Sequence, residues 1–494
     1  MPLAPGRRLA GPLLACAFLS AALSEAAQAQ EKPGDADLCY KSVSATAVTV
    51  EDVIAACSRV IATPGKSHGA LVTAHNNRGA IYLHAGQPAK AIEDFSAAIA
   101  LDPGSAMALG NRGEAYRLQH DYDKALADEE AAIRLEPKLQ MGYLNRGAIH
   151  AALGQYKLAI ADFDEVIDLD PYSAPAYLNR GEAHRLSGDL PQALADQSKT
   201  IELDPKLPDA YLSRGLIYQS MNRIDDALAD FDTAIRLNPD SFGAYIDRAN
   251  IYRRRGDYAR ALADQTTAIK LAPDFPLLYL NRGQVLRDMD RPEDAIRDYD
   301  AALRLDSKLA AAYADRAAAY GATGDLDKAL ADAEAAIALD PASLGGYGTR
   351  GNIRNMRGDY AGAIEDYSRV ISLNPRDAMA YNNRCFALAL LGDLDRALAD
   401  CDASLAIEPE DAMTLDSRGY VHLRAGQPNL AIADYDAALK LEPRIDTSLF
   451  GRGVAHAALG DRVQAVADLA AARAINPAID REMAKAHVTA PQGL

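Results

Sequence analysis

The sequence predicts an all-α solenoid, about twelve helix-turn-helix pairs of 34 residues with capping helices at the two ends. Three observations predict it. Proline returns at one slot of a 34-residue period from Pro103 to Pro477, missed only at Ser307. Small residues return at two other slots, Gly79, Gly113 and Gly147 in one and Ala91, Ala125 and Ala159 in the next. Between those slots a glycine followed by Asp or Gln recurs, as in Gly188-Asp189 and Gly392-Asp393. A period held without insertion or deletion means that every repeat meets its neighbour in the same way, and such an array buries its core only by stacking.

Along the chain, residues 1–29 read as an export signal. Arg7 and Arg8 precede an apolar run over residues 9–23, and Ala27-Gln28-Ala29 follows as a small-x-small cleavage site. The mature protein is then expected to start near Gln30 and to be periplasmic or secreted. Two other readings exist. Leu13-Leu14-Ala15-Cys16 resembles a lipoprotein processing site, which would anchor the chain to a membrane through Cys16, and the paired arginines resemble a twin-arginine signal. Against the first, the apolar run continues for seven residues beyond Cys16. The run is too short to span a bilayer and no later stretch is continuously apolar, so no transmembrane segment is expected in the mature chain.

Residues 30–71 are expected to form an amino-terminal cap. The stretch 53–61 aligns with residues 91–99 of the first full repeat, and Cys39 and Cys57 flank the segment. In an oxidising compartment these two cysteines are expected to staple a helical hairpin.

Residues 72–479 form the array. Numbering each repeat so that its proline is position 32, position 8 is Gly in nine repeats, Ala249 and Ala317 in two and Cys385 in one, and position 20 is Ala in all twelve. Two small residues, each among helix formers, let helix A (position 8) and helix B (position 20) approach closely. The Gly at position 15 stops helix A and the following Asp or Gln caps helix B. Tyr at position 4, from Tyr143 to Tyr381, and the aliphatic residues at positions 21 and 30 fall on one stripe per helix. The closing proline ends helix B, since it can neither donate to nor fit inside a continuing helix. After the last one, a short helix within residues 478–487 is expected to close the stack, with Asp480, Arg481, Glu482 and Lys485 turned outward. It belongs to a terminal segment, 480–494, of helix and tail.

Repeat length, the small residues at positions 8 and 20 and the terminal proline resemble the tetratricopeptide repeat, in the Asn-Arg-Gly variety found in exported bacterial proteins. The resemblance covers residues 72–479. It implies a right-handed superhelix whose concave face binds proteins or peptides. The chain departs from the family in having no tryptophan and in the polar Glu129, Gln197 and Gln265 at position 24, where looser packing is expected.

In this family position 6 faces the concave groove. Here it is Asn77, Asn111, Asn145, Asn179, Asn281 and Asn383, with Ser, Asp or Thr in most other repeats. A side-chain amide both donates and accepts, so it suits the peptide groups of an extended chain. The column is similar to the asparagine ladder of O-linked N-acetylglucosamine transferase. A clamp for carboxylate tails would need lysines at positions 2 and 5, where this chain has residues such as Met107, Met141 and Leu144. One turn on, positions 9 and 12 pair Glu114 with Arg117, Glu182 with Arg185, Asn250 with Arg253 and Gln284 with Arg287, which makes the middle of the groove a candidate for an acidic segment.

Two charged columns are invariant, Arg at position 7 and Asp at position 23 in every repeat. Opposite charges repeated together are best explained by each other, as ion pairs that set register. Cys385 and Cys401, at positions 8 and 24 of the tenth repeat, are either a second disulfide or two small buried side chains.

The net charge of −17 disfavours nucleic acid, whose phosphates an acidic chain repels. No metal-ligand spacing, nucleophile elbow or phosphate loop occurs, so no metal, cofactor or enzymatic activity is expected. The histidines at position 11 (His150, His184, His422, His456) stand where other repeats have tyrosine. The function read from the chain is a protein-protein interaction scaffold that takes an extended segment of a partner in its groove. The alternative is a structural or assembly component of the cell envelope, in outer-membrane or polysaccharide export machinery, that binds folded partners by its outer surface. Partner identity and oligomeric state are not encoded legibly.

Overall fold

A computed structural model describes residues 34–40 and 49–493. The expected export signal, with Arg7, Arg8, Cys16 and Ala29, lies outside the described residues. The described chain is helical without strands and divides into two compact bodies, residues 1–247 and 248–494.

In the first body α1 (Asp35–Tyr40) and α2 (Val50–Ala62) precede the array. Repeats 1 to 5 supply α3 (His68–His84) with α4 (Pro88–Leu101), α5 (Ala106–Leu118) with α6 (Tyr122–Leu135), α7 (Gln140–Ala152) with α8 (Tyr156–Leu169), α9 (Ala174–Ser187) with α10 (Leu190–Leu203), and α11 (Pro208–Ser220) with α12 (Ile224–Leu237). The division falls inside α13 (Phe242–Arg254). The second body continues with α14 (Tyr258–Leu271), α15 (Pro276–Asp288), α16 (Pro292–Leu305), α17 (Ala310–Ala322), α18 (Leu326–Leu339), α19 (Leu344–Met356) and α20 (Tyr360–Leu373). It ends with α21 (Ala378–Leu391), α22 (Leu394–Ile407), α23 (Ala412–Arg424), α24 (Pro428–Leu441), α25 (Asp446–Ala458), α26 (Arg462–Ile475) and α27 (Ile479–Lys485).

The local signals act as their chemistry requires. Position 15 has a positive φ in all twelve repeats, not only where it is glycine: His120, Asn222 and Asp290 adopt φ of 61°, 58° and 56°. Helix A must turn there at that point, and Asn and Asp are the non-glycine residues that tolerate the left-handed region best. Asp121, Asp189, Asp257, Asp325, Asp359, Asp393 and Asp461 then cap helix B by accepting the N–H three residues on. Two bounds differ from expectation. Helix α3 starts four residues before Val72 because Ser67 caps it, and the closing helix is shorter than residues 478–487.

Packing follows the two small columns. Every alanine at position 20 is fully buried. A Cβ on Gly79 would meet the ring of Phe95 at 2.7 Å, and one on Gly283 would meet Tyr299 at 2.5 Å, so position 8 is small because the position 24 side chain of the same repeat lies against it. The same slot accepts Ala317 with Ala333, and Cys385 with Cys401, whose Cα atoms are 5.5 Å apart and whose sulfurs stand at bonding distance. Cys39 and Cys57 join α1 to α2 in the same manner, with Cα atoms 4.8 Å apart.

Position 24 corrects one expectation. Glu129, Gln197 and Gln265 are not loosely packed but fully buried, each leaving one side-chain oxygen unbonded. Position 30 corrects another, since Leu135, Leu305, Leu339 and Leu441 are more than 40% exposed at the ends of their helices rather than part of the buried stripe.

Within each body, helices A of neighbouring repeats touch directly, as α5 with α7 and α21 with α23, whereas successive helices B have no comparable contact among the described residues. Each body therefore curves towards its helix A face.

Candidate peptide-binding face

The invariant charges belong to the frame beneath this face. In all twelve repeats the position 7 guanidinium donates to the position 23 carboxylate sixteen residues on. Arg78 donates two parallel bonds of 2.7 Å to Asp94. The aspartates are all buried. Tyrosines at position 4 cover the guanidinium from one side, as Tyr177 does for Arg180 at 5.3 Å. Bidentate geometry and aromatic stacking are what arginine offers and lysine does not. Arg180, Arg316, Arg418 and Arg452 add a third bond to an aspartate of the preceding repeat, which ties helix pairs into a stack. The histidines at position 11 sit half-buried beside this frame, His150 and His422 bonding Gln155 and Gln427.

Position 6 lies on the helix A face, and several of its side chains are engaged within the chain. Asn77 Nδ2 donates to the main-chain carbonyl of Cys39 at 2.8 Å. Asn111 Nδ2 donates to Asn76 Oδ1 at 2.9 Å, and Asn145 Nδ2 to Glu129 Oε1 at 2.9 Å. Asn145 and Asn179 are each only 4% exposed, while Asn111, Asn281 and Asn383 are half-buried. A ladder that spacing did not reveal links position 9 of one repeat to position 6 of the next. Ser213 donates to Glu182, Gln284 to Asp315, and Asn383 to Asn352. Its signal in the sequence is a separation of 31 residues between polar side chains, one repeat less one helical turn.

The arginines at position 12 are all matched by acids. Arg117 makes two bonds to Glu114 (2.6 and 2.7 Å) and Arg185 two to Glu182. These hydrogen bonds hold both guanidinium pKa values above their usual range. Arg253 turns to Asp288 at 2.5 Å and Gln284, and Arg287 to Asp315 at 2.8 Å, rather than to the partners at position 9 of their own repeats. Arg254 is exposed.

Two acids on or under the face are shifted by burial. Glu129 lies among Gly110, Gly113 and Gly142, and desolvation raises its pKa well above the usual carboxylate value despite the bond from Asn145. Burial raises Asp416 to about 6, opposed by bonds from Ser448 (2.6 Å) and Thr447 (3.0 Å). A hollow of about 880 Å³ opens beside the face in the first body, lined by Pro137, Met141, Leu144, Tyr172 and Pro175 among others. No group of three metal-ligating side chains gathers among the described residues. No helix among them is long and apolar enough to cross a membrane.

Family comparison agrees with the geometry. Models described as tetratricopeptide repeat match residues 72–105, 141–173, 212–276, 280–343 and 417–478, and one described as TPR repeat matches 351–392. The chain is a tetratricopeptide repeat protein. Such proteins bind proteins or peptides and are generally scaffolds rather than enzymes. The tetratricopeptide array is similar in fold to the Cut9–Hcn1 hetero-tetramer of the APC/C, at 15% identity over 87% of this chain and 90% of that one with a TM-score of 0.52. Yeast Tom70 (15% identity, 82% of this chain and 99% of that one, TM-score 0.42) is a looser likeness. A tetratricopeptide repeat protein from Parabacteroides merdae (22%, 50% and 97%, TM-score 0.41) is another. No curated protein sequence matches the chain.

Proposed function

We propose that this protein is an exported, non-enzymatic scaffold whose helix A face holds an extended segment of a partner protein through its main chain. The observation that carries the reading is Asn77, whose amide already holds a main-chain carbonyl of this chain, that of Cys39, at 2.8 Å. The half-buried Asn111, Asn281 and Asn383 carry the same group at the same position. The hollow beside Met141 and Leu144 adds apolar surface in the first body, which a backbone reader needs because each hydrogen bond contributes only about 0.5–1.5 kcal/mol net. The paired arginines at position 12 direct this reading towards a neutral segment rather than an acidic one, since their charge is met within the chain. Export rests on the signal at residues 1–29 and on the two cysteine pairs at bonding distance.

The test begins with capture of the partner from envelope extracts and amino-terminal sequencing of the mature chain, expected to start near Gln30. Replacing Asn111 in the first body by Ala, or Asn281 and Asn383 together in the second, leaves melting unchanged and weakens the partner, by about tenfold for the two modest bonds lost in the second body. Equal affinity in parent and both variants would favour the outer-surface reading instead. A mature chain that begins at a lipidated Cys16 would make the protein a membrane-anchored one.

A further inference from the structure

The helix A face of repeats 11 and 12 is already occupied, by residues 486–493 of this chain. Positions 9 and 12 of repeats 10 to 12 are Phe386 with Ala389, Tyr420 with Leu423, and Val454 with Ala457, in place of the charged pairs of repeats 2 and 4. After α27 the chain turns through His487, whose φ is 60°, and returns past α25 to α23. Tyr420 Oη donates to the main-chain carbonyl of Ala486 at 2.7 Å while accepting from Arg424 Nη1 at 2.8 Å. Val488, 4% exposed, joins the apolar cluster of Tyr420, Leu449 and Met483, and Ala486 and Ala490 pack against that cluster. Arg462 holds the carbonyl of Gly493 at 3.2 Å.

We infer that this part of the face is a second acceptor site, for an extended, uncharged segment that presents a main-chain carbonyl to Tyr420 and a small aliphatic side chain to the slot of Val488, and that residues 486–493 are its built-in competitor. The inference rests on the groove reading and deepens it by naming a place and a ligand chemistry. Three features mark the segment as an occupant rather than core. Beyond Ala486, His487 and Val488, whose N–H groups donate to Glu482, Ala484 and Met483 and so cap α27, it has no regular structure, and residues 486–493 have a single buried side chain and few bonds to the rest of the body, the pattern of the least stable parts of a fold. Apart from that cap, what holds it is Tyr420 on the carbonyl of Ala486, Arg462 on the carbonyl of Gly493 and the burial of Val488, contacts that another chain can reproduce. Its tethering gives a local concentration on the millimolar scale, so a free segment must match or exceed that to displace it.

The probe is a synthetic peptide of residues 486–494, titrated into methyl-labelled protein ending at Lys485 and into the full chain. The shortened protein is expected to keep its methyl spectrum and to show shifts at Leu423, Leu449 and Val454, half-saturating at roughly 1 mM, as two hydrogen bonds and one buried valine would give. The full chain is expected to show none, and a peptide with Val488→Asp none in either. Absence of shifts in the shortened protein would overturn the inference, and so would equal shifts in the full chain. Loss of folded signals from repeats 10 to 12 on shortening would overturn it too, since the segment would then be part of the core. The groove reading is judged separately, by the Asn111, Asn281 and Asn383 substitutions, none of which touches Tyr420 or Val488.

Discussion

At positions 9 and 12, repeats 2 and 4 carry Glu114 with Arg117 and Glu182 with Arg185, while repeats 10 and 11 carry Phe386 with Ala389 and Tyr420 with Leu423. The frame below is the same in both regions: Ala at position 20, a left-handed residue at position 15, and the Arg–Asp pair across the two helices. In the first region the face satisfies itself with side-chain ion pairs, and in the second it is apolar and Tyr420 donates to the main-chain carbonyl of Ala486. The difference teaches that stacking constrains only a few columns. The columns between them are free to set what each stretch of the face can bind.

The largest expected effect lies in the frame. Asp366 is 2% exposed and accepts bonds from both Arg350 and Arg354. Asp366→Asn strips the charge from a buried pair and is expected to cost about 3–5 kcal/mol in urea unfolding of that region. Asn281→Ala, on the face, is expected to stay within about 0.5 kcal/mol of the parent. Similar losses for the two would erase the distinction between frame and face.

The cysteine pair of repeat 10 sharpens it next. Cys385→Ala with Cys401→Ala recreates the alanine pair of repeat 8, so packing is kept and only the crosslink goes. The chain-entropy estimate for a loop of this length is about 3 kcal/mol. Thiol titration of unreduced envelope protein is expected to find none of the four cysteines after residue 30 free. Two reactive thiols would assign Cys385 and Cys401 to ordinary packing.

A smaller effect separates the polar and aromatic versions of position 24. Burial makes the folded chain hold a proton on Glu129 that the unfolded chain releases above the ordinary value of 4.5. Its contribution is therefore complete below about pH 4.5 and is lost as pH rises towards the raised folded value. Glu129→Gln keeps the shape, as Gln197 and Gln265 do in repeats 4 and 6, and is expected to match the parent near pH 5. At pH 8 it should be more stable by about 1–3 kcal/mol. A variant whose pH profile parallels the parent's would mean that Glu129 is not held neutral by the fold.

Most of the frame was legible in the sequence because it is periodic. Proline at position 32, the small residues at 8 and 20, and the coupled Arg and Asp columns each repeat too often to arise singly. The compatibility of Cys385 with Cys401 follows from the same columns, since positions 8 and 24 are in contact in every repeat where a glycine faces a ring. The face was legible only in part. The amides at position 6 were visible, but their partners come from the preceding repeat, and a separation of 31 residues is hidden in a 34-residue register. Arg253 and Arg287 likewise reach across repeats to Asp288 and Asp315 or Gln284. The return of the tail to Tyr420 breaks the period altogether, so no column could announce it.

Photo-crosslinking in living cells tests the central claim most directly, with the reactive side chain placed at Asn111 or Asn281 on the helix A face, or at the exposed Leu158 or Leu430 on helices B. The account expects one partner protein to be captured from Asn111 and Asn281 and not from Leu158 or Leu430. Capture of that partner from Leu158 and Leu430 alone would contradict it.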